Sequence, residues 1–388
     1  MMIPLKYSLR SLAARRMTTL LTIFGVAMVT FVFAAVLMLA DGLRKTLVAS
    51  GSDENAIVIR ESSSTEIQSF VTRYQAGVIQ TLPDIALDNK DQPLVTGEAT
   101  VLIDIDKIRS HKAANVMFRG IGKMSLAVHK GIKIIAGRPF EFGKTEIIVG
   151  KKVRDTFEGC GLGQTIAFGM TGWTIVGVFE ADGASFESEI WGDADQVMPA
   201  SGRPVFSSMT FRMKDPTQFE QMREKIMSDP RMTVDVKREK QYYDEQSSFT
   251  GNFIRILGQV ISTIFSLGAI IGAMITMYAA VANRTREIAT MRALGFGRFS
   301  ILSAFLIEAV VISLVGGLLG LAASSLLELI SVSTINWNTF SDLSFGFAIS
   351  PTIVIQTLIF ALVMGLLGGF LPAVRASRIK ITEALRAE

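Results

Sequence analysis

Thr18 to Ala40 holds no charged side chain, and neither does Ile256 to Ala282 or Ile353 to Leu371. Ile301 to Ile330 carries only Glu308 and Glu328. An apolar run of about 18 residues or more is long enough to cross the hydrocarbon of a bilayer. One such run could be a buried helix of a soluble protein. Four in one chain predict four membrane spans, and almost half of all residues are hydrophobic.

The positive charges orient the spans. Lys6, Arg10, Arg15 and Arg16 precede the first run; Arg284, Arg286, Arg292 and Arg298 separate the second from the third; Arg375, Arg378, Lys380 and Arg386 follow the fourth. The segment Ser331 to Pro351 has no Lys or Arg. Lys and Arg collect on the cytoplasmic side, so the three basic segments and both termini are expected inside. The 331–351 loop and the long region between the first two spans are expected outside. Trp337 and Phe340 suit a membrane interface. The first apolar run is too long for a signal-peptide core, so it reads as an uncleaved anchor.

The sequence therefore divides as follows: an amphipathic cytoplasmic helix over 1–17, with Leu5, Leu9 and Leu12 on one stripe; span one, 18–41; an outer domain, 42–252; span two, 253–282; a cytoplasmic turn, 283–299; span three, 300–330; an outer loop, 331–351; span four, 352–372; and a cytoplasmic tail, 373–388. The outer region holds most of the acidic residues in near balance with basic ones, which gives no sign of nucleic-acid binding. Cys160 is the single cysteine, so no intrachain disulfide supports this region. Alternating runs such as "NAIVIRE", "TVLIDID", "NVMFRGIG", "TEIIVG", "QTIAFG", "WTIVGVFE" and "PVFSSMTFRM" predict strands. "STEIQSFVTRYQAGVIQTL" and "PTQFEQMREKIMSD" predict helices. The fold class is a membrane protein of four transmembrane helices with a large α+β extracytoplasmic domain between helices one and two.

Catalytic patterns are missing. "GRPFEFGKT" has five residues between Gly137 and Gly143, where a phosphate loop needs four. No zinc-protease, CxxC or nucleophile-elbow motif occurs, and no metal or cofactor is expected. His111 and His129 are expected at the surface. The acidic run Asp182, Glu187, Glu189, Asp193 and Asp195 is expected to be a solvated loop, since its spacing fits no calcium loop.

The turn "RTREIATMRALGFGRF" puts Ile288, Met291 and Leu294 at helical spacing, with Arg284, Arg286 and Arg292 around them. Such a turn could lie on anionic lipid, or offer a partner an apolar ridge among charges.

Here the chain resembles the MacB/FtsX-like ABC transporter permeases, a family that includes the LolC/LolE type. The resemblance covers essentially the whole chain. It is strongest over Asn283 to Gly320: Arg284, Arg286, Glu287 and Ile288, then Arg292 to Gly295, then Glu308 and Ala309, then Gly316, Gly317 and Gly320. The ending matches through Pro372, Ala373, Arg375, Ala376, Ala384, Leu385 and Arg386. The resemblance implies a non-catalytic permease that pairs with a second permease subunit in the inner membrane. It implies that Arg284, Arg286, Glu287, Ile288, Met291, Arg292, Leu294 and Gly295 couple to an ABC ATPase, which binds the ATP. It implies mechanotransmission: ATP-driven closure inside moves the outer domains, and a lipoprotein, lipid, peptide or amphipathic drug is exported or extracted at the outer face. A periplasmic adaptor, carrier or outer-membrane channel would be a further partner. The alternative within the family is an FtsX-like transmembrane signal transducer that activates an extracytoplasmic partner such as a cell-wall hydrolase.

Two local features fit close helix packing. Gly316 and Gly320, with Gly317 between them, and Gly365, Gly368 and Gly369 put small faces on spans three and four. Glu308 lies inside span three. A mid-membrane carboxylate costs about 2.5–3.5 kcal/mol on insertion scales. It should face the bundle or reach the inner interface, towards Arg298 or Arg375.

Overall fold

The computed structural model describes residues 16–379. The amino-terminal amphipathic helix and the last residues, among them Ala384, Leu385 and Arg386, lie outside the described residues. The chain separates into two compact units. One contains the apolar helices, and the other comprises Gly42–Gly251 with Ser331–Phe345.

Four helices are long and apolar enough to cross a membrane: α1 (Arg16–Val48), α7 (Glu239–Asn283), α9 (Arg298–Ser325) and α10 (Pro351–Ser377). Their ends differ from the expected spans. Helix α1 continues past Asp41, and α7 begins at Glu239, well before residue 253. At 1.5 Å per residue α7 is roughly 68 Å long, about twice a hydrocarbon thickness. Hydropathy locates the membrane-crossing part of such a helix and misses its polar extension "EKQYYDEQSS". Helix α9 ends at Ser325 in a 3-10 turn over Leu326–Leu329, while α10 runs on to Ser377. Pro351 opens α10, where a missing N–H costs nothing.

Glycines set the helix spacing. A methyl on Gly316 would meet the Ile23 carbonyl and Val26 of α1, and one on Gly320 would collide with Thr30 and the Ala27 carbonyl. Gly317 lies against Ala361, Gly365 against Ser313, Gly369 against Ala309, and Gly368 against Ala273 of α7. Small residues let backbones approach in lipid, where dispersion and polar contacts drive association.

The outer unit is built on one path of strands: β1 (Asn55–Arg60), β2 (Val95–Asp106), β3 (Ala113–Ile121), β4 (Lys133–Gly137), β5 (Glu146–Gly150), β6 (Thr165–Phe168), β7 (Thr171–Glu180), β8 (Glu189–Asp193), β9 (Ser208–Arg212) and β10 (Val234–Arg238). Their order is β10-β1-β9-β2-β3-β8-β5-β7-β4, with β6 on β7. Strand β2 changes partner midway: Val95–Glu98 pair with β9, and Ala99–Asp106 pair with β3. It thus joins two half-sheets. One packs around Val58, Phe211, Met222 and Val236; the other around Phe118, Ile147, Trp173 and Val197. Short helices lie among the strands: α2 (Arg73–Gln80), α3 (Ser125–Val128), α4 (Lys151–Thr156), α5 (Ala194–Ala200) and α6 (Phe219–Met227). Helix α2 is shorter than predicted. Thr72 caps it, with Gln75 closing the capping box, so the residues from Thr65 to Phe70 lie outside the helix. The expected 331–351 loop instead contains a hairpin of β11 (Ser331–Ile335) and β12 (Asp342–Gly346). Residues Ser331–Phe345 belong to the outer unit.

Candidate functional sites

The basic turn of the membrane unit forms a short helix, α8 (Thr285–Ala293). Its two faces differ. Ile288 and Ala289 are 0 % exposed, and Ile288 lies in a cluster with Met277 and Val281 of α7, Ile301 and Phe305 of α9, and Ala373 and Ala376 of α10. Met291 is half-buried against the same cluster. Arg284 is buried: its Nη1 lies 3.3 Å from Glu308 Oε2 and its Nε donates to Glu287 Oε2 at 3.0 Å. Arg292 Nη1 donates to the Ile379 carbonyl at 2.7 Å, beyond the end of α10. The outer face presents Arg286, Glu287, Thr290 and Ala293, followed by Leu294, which is 72 % exposed, and Phe299, 74 % exposed.

The predicted ridge is therefore split. Ile288 is core and Leu294 is surface. Helix α8 stops at Ala293, where the Leu294 N–H returns to the Thr290 carbonyl and Gly295 takes φ 93°. A positive φ suits glycine and ends the helix; Ile288 and Leu294, six residues apart, lie about 120° apart around it. Arg284 and Arg292 are tied inward and do not flank an exposed ridge. Glu308 faces the bundle as expected, but its partner is Arg284 and neither Arg298 nor Arg375. Arg375 lies instead over the Tyr278 ring.

The outer unit holds a second cluster, formed from residues that are distant in sequence. Arg119 on β3 is 1 % exposed and uses all three guanidinium nitrogens. It binds Glu189 through Nε at 2.7 Å, Glu66 and Glu98 through Nη1 at 2.8 Å, and both Glu66 and Glu189 through Nη2. Glu98 continues the chain: its Oε1 lies 2.7 Å from His129 Nε2. His129 Nδ1 lies 3.2 Å from Glu239, the first residue of α7. Glu239 Oε2 also accepts from Asn55 Nδ2 and the Ser52 N–H, each at 2.9 Å. Glu98 stands where β2 changes partner, so the cluster straddles the junction of the half-sheets.

Burial opposes the charge on His129, but Glu98 and Glu239 outweigh it and raise its pKa to about 10. Burial also opposes ionised Glu98; the His129 and Arg119 charges prevail and hold it at about 2. For Glu189 burial wins, and its pKa is raised despite Arg119. One guanidinium shared by three carboxylates cannot offset all of them.

Residues 19–228 match the MacB-like periplasmic core domain, and residues 259–381 match the FtsX-like permease C-terminal domain. The chain belongs to the MacB/FtsX-like permease family. It is 26% identical to the macrolide export ATP-binding/permease protein MacB of Hahella chejuensis, over 97% of this chain and 59% of that protein. It is 27% identical to the Escherichia coli protein of that name, over 99% and 60%. The chain thus spans about three fifths of the length of these curated relatives. Among solved structures, the periplasmic region of MacB from Actinobacillus actinomycetemcomitans aligns with TM-score 0.38 and 14% identity, over 50% of this chain and 92% of that one. The extracellular domain of the transporter YknZ aligns with TM-score 0.36 and 15% identity, over 47% and 99%.

Sequence reasoning missed the outer cluster and misplaced its members. His129 is 3 % exposed, although a surface position was expected; His111 is exposed and contacts Glu158 at 2.6 Å. The acidic run is not a solvated loop throughout, because Glu187, Glu189 and Asp193 are buried. Glu187 accepts from the Ala181 and Gly183 N–H groups, and Asp193 from those of Asp195 and Gly143. One signal was available: Glu98 and Arg119 each interrupt a hydrophobic strand, and Glu189 opens one. Charged residues are almost never fully buried unless paired.

Proposed function

We propose that this chain is the permease of an ABC transporter whose nucleotide chemistry is carried by an ATPase outside these 388 residues. The observation behind this reading is the two-faced turn. Its inner face is built into the ends of α7, α9 and α10, while Thr290, Leu294 and Phe299 are exposed. An ATPase seated on that outer face would pull directly on three membrane helices. The turn would lie in the cytoplasm, as the positive charges indicate, and movement would pass to the outer domain by mechanotransmission. The long and mostly exposed apolar surface of α7, with Ile256, Val260, Ile264 and Ile271, suits a second permease subunit. The export function named in the relatives favours a bulky amphipathic molecule as substrate, handled at the outer face.

The test is ATPase association. Leu294→Glu puts a charge into the apolar part of the contact. Burying an unpaired charge costs several kcal/mol, enough to weaken binding by orders of magnitude. Membrane insertion and thermal stability should stay near wild type, because Leu294 packs on little of its own chain. Loss of ATPase co-purification supports the reading. Undiminished co-purification and ATP-dependent efflux in Leu294→Glu cells would contradict it.

A further inference from the structure

We infer that the Arg284–Glu308 ion pair is a positioning clamp that fixes helix α8 against α9; the inference rests on the coupling role proposed above. Arg284 stands between the last residue of α7 and the first of α8, so it sits where the chain turns. Its guanidinium reaches 24 residues along the chain to Glu308, and both side chains are 6 % exposed. The guanidinium carbon also lies 5.2 Å from the centre of the Phe305 ring, one helical turn before Glu308. A second carboxylate partner among the described residues, Glu287, is 57 % exposed. Exposed pairs contribute little. Removing one member of a buried ion pair is strongly unfavourable, so Glu308 holds Arg284 more firmly than Glu287 does.

The opposite end of α8 is held by a different device. Arg292 donates to the Ser377 and Ile379 carbonyls at the end of α10. The two anchors, with Ile288 and Ala289 beneath them, leave α8 without freedom to rock on α9. Arg284 and Glu308 are thus positioning residues. They orient the outer face of α8 without forming part of it.

The experiment measures that orientation directly. Spin labels are placed on the full chain in lipid nanodiscs, in a Cys160→Ala background, at Thr290→Cys and Arg378→Cys. A control pair sits at the far ends of α9 and α10, at Leu326→Cys and Thr352→Cys. The clamp predicts one narrow Thr290–Arg378 distance. It predicts that Glu308→Gln broadens that distribution by about twofold or more while the control distance stays unchanged. Arg284→Gln alone should broaden that distribution as far, and Arg284→Gln combined with Glu308→Gln should be no broader than either single variant, because all three remove one contact. Three results would overturn the clamp: an unbroadened distribution in Glu308→Gln, broadening of both pairs together, or a double variant that returns to the narrow distance. These outcomes are independent of ATPase docking. A Leu294→Glu chain that still binds its ATPase ends the coupling reading and leaves the distances intact; a failed clamp leaves the docking face in place.

Discussion

At the scale of single residues, His129 and Glu98 make opposite and testable contributions to stability. The folded pKa of His129 lies near 10, above its ordinary 6.5. Its contribution is therefore complete below pH 6.5 and is lost as pH rises towards 10. Glu98 is held near 2, below 4.5; its contribution is complete above pH 4.5 and is lost as pH falls towards 2. Glu189 is raised, so its ionisation works against the fold as pH rises and trims the gain from Glu98. Thermal unfolding of the full chain in detergent, followed by the fluorescence of buried Trp173 and Trp191, should give a midpoint that falls from pH 7 to pH 9.5. In His129→Gln that slope should flatten. An unchanged slope would assign the alkaline loss to another group. Arg119→Gln leaves three buried carboxylates without their shared cation and should cost about 3–5 kcal/mol, read as loss of folded protein. None of these contacts could be read from the sequence, because His129 meets Glu98 across 31 positions and Glu239 from further still. Local patterns report which residues are apolar. They do not report which polar residues a fold will bring together.

At the scale of elements, the membrane helices were legible because lipid imposes a length and forbids charge. Their ends were not, because α1 and α7 continue as polar helices beyond the apolar stretch. The glycine faces were legible as small surfaces, and the structure gives each a neighbour. This distinguishes glycines that packing requires from those it tolerates. Gly365→Val would drive a side chain into Ser313 and the Ala309 carbonyl, whereas a methyl at Gly272 meets nothing within 4 Å. Overpacking costs about 1–3 kcal/mol. Gly365→Val should therefore lower the unfolding midpoint and the monodispersity of the detergent-solubilised protein, and Gly272→Ala should do neither. Equal behaviour of the two would show that the close approach at Gly365 is not needed. Helix α8 shows the limit of periodicity: Ile288, Met291 and Leu294 recur every three residues, but two such steps turn about 120° around a helix.

For the whole molecule, the outer unit is discontinuous in sequence. The hairpin residues are reached only after two further spans, yet Asn115 Nδ2 donates to the Phe340 carbonyl at 2.9 Å, Asn338 Nδ2 to the Gln246 carbonyl at 2.6 Å, and Lys107 pairs with Asp342. A soluble fragment of residues 42–251 alone exposes these partners. Joining residues 331–345 to it through a Gly/Ser linker should raise its unfolding midpoint by several degrees, since each kilocalorie shifts a 150–250-residue domain by about 2–4 °C. No rise would show that the hairpin contributes nothing to the stability of the outer unit. The central claim concerns the other unit: the exposed side of the basic turn is where an ATPase sits. The most direct measurement is photocrosslinking in intact cells, with a benzoylphenylalanine at Leu294 or at Ile288. The account predicts that position 294 captures a P-loop ATPase identifiable by mass spectrometry, and that position 288 crosslinks only within this chain. An ATPase captured from 288 and not from 294, or lipid alone from 294, would contradict it.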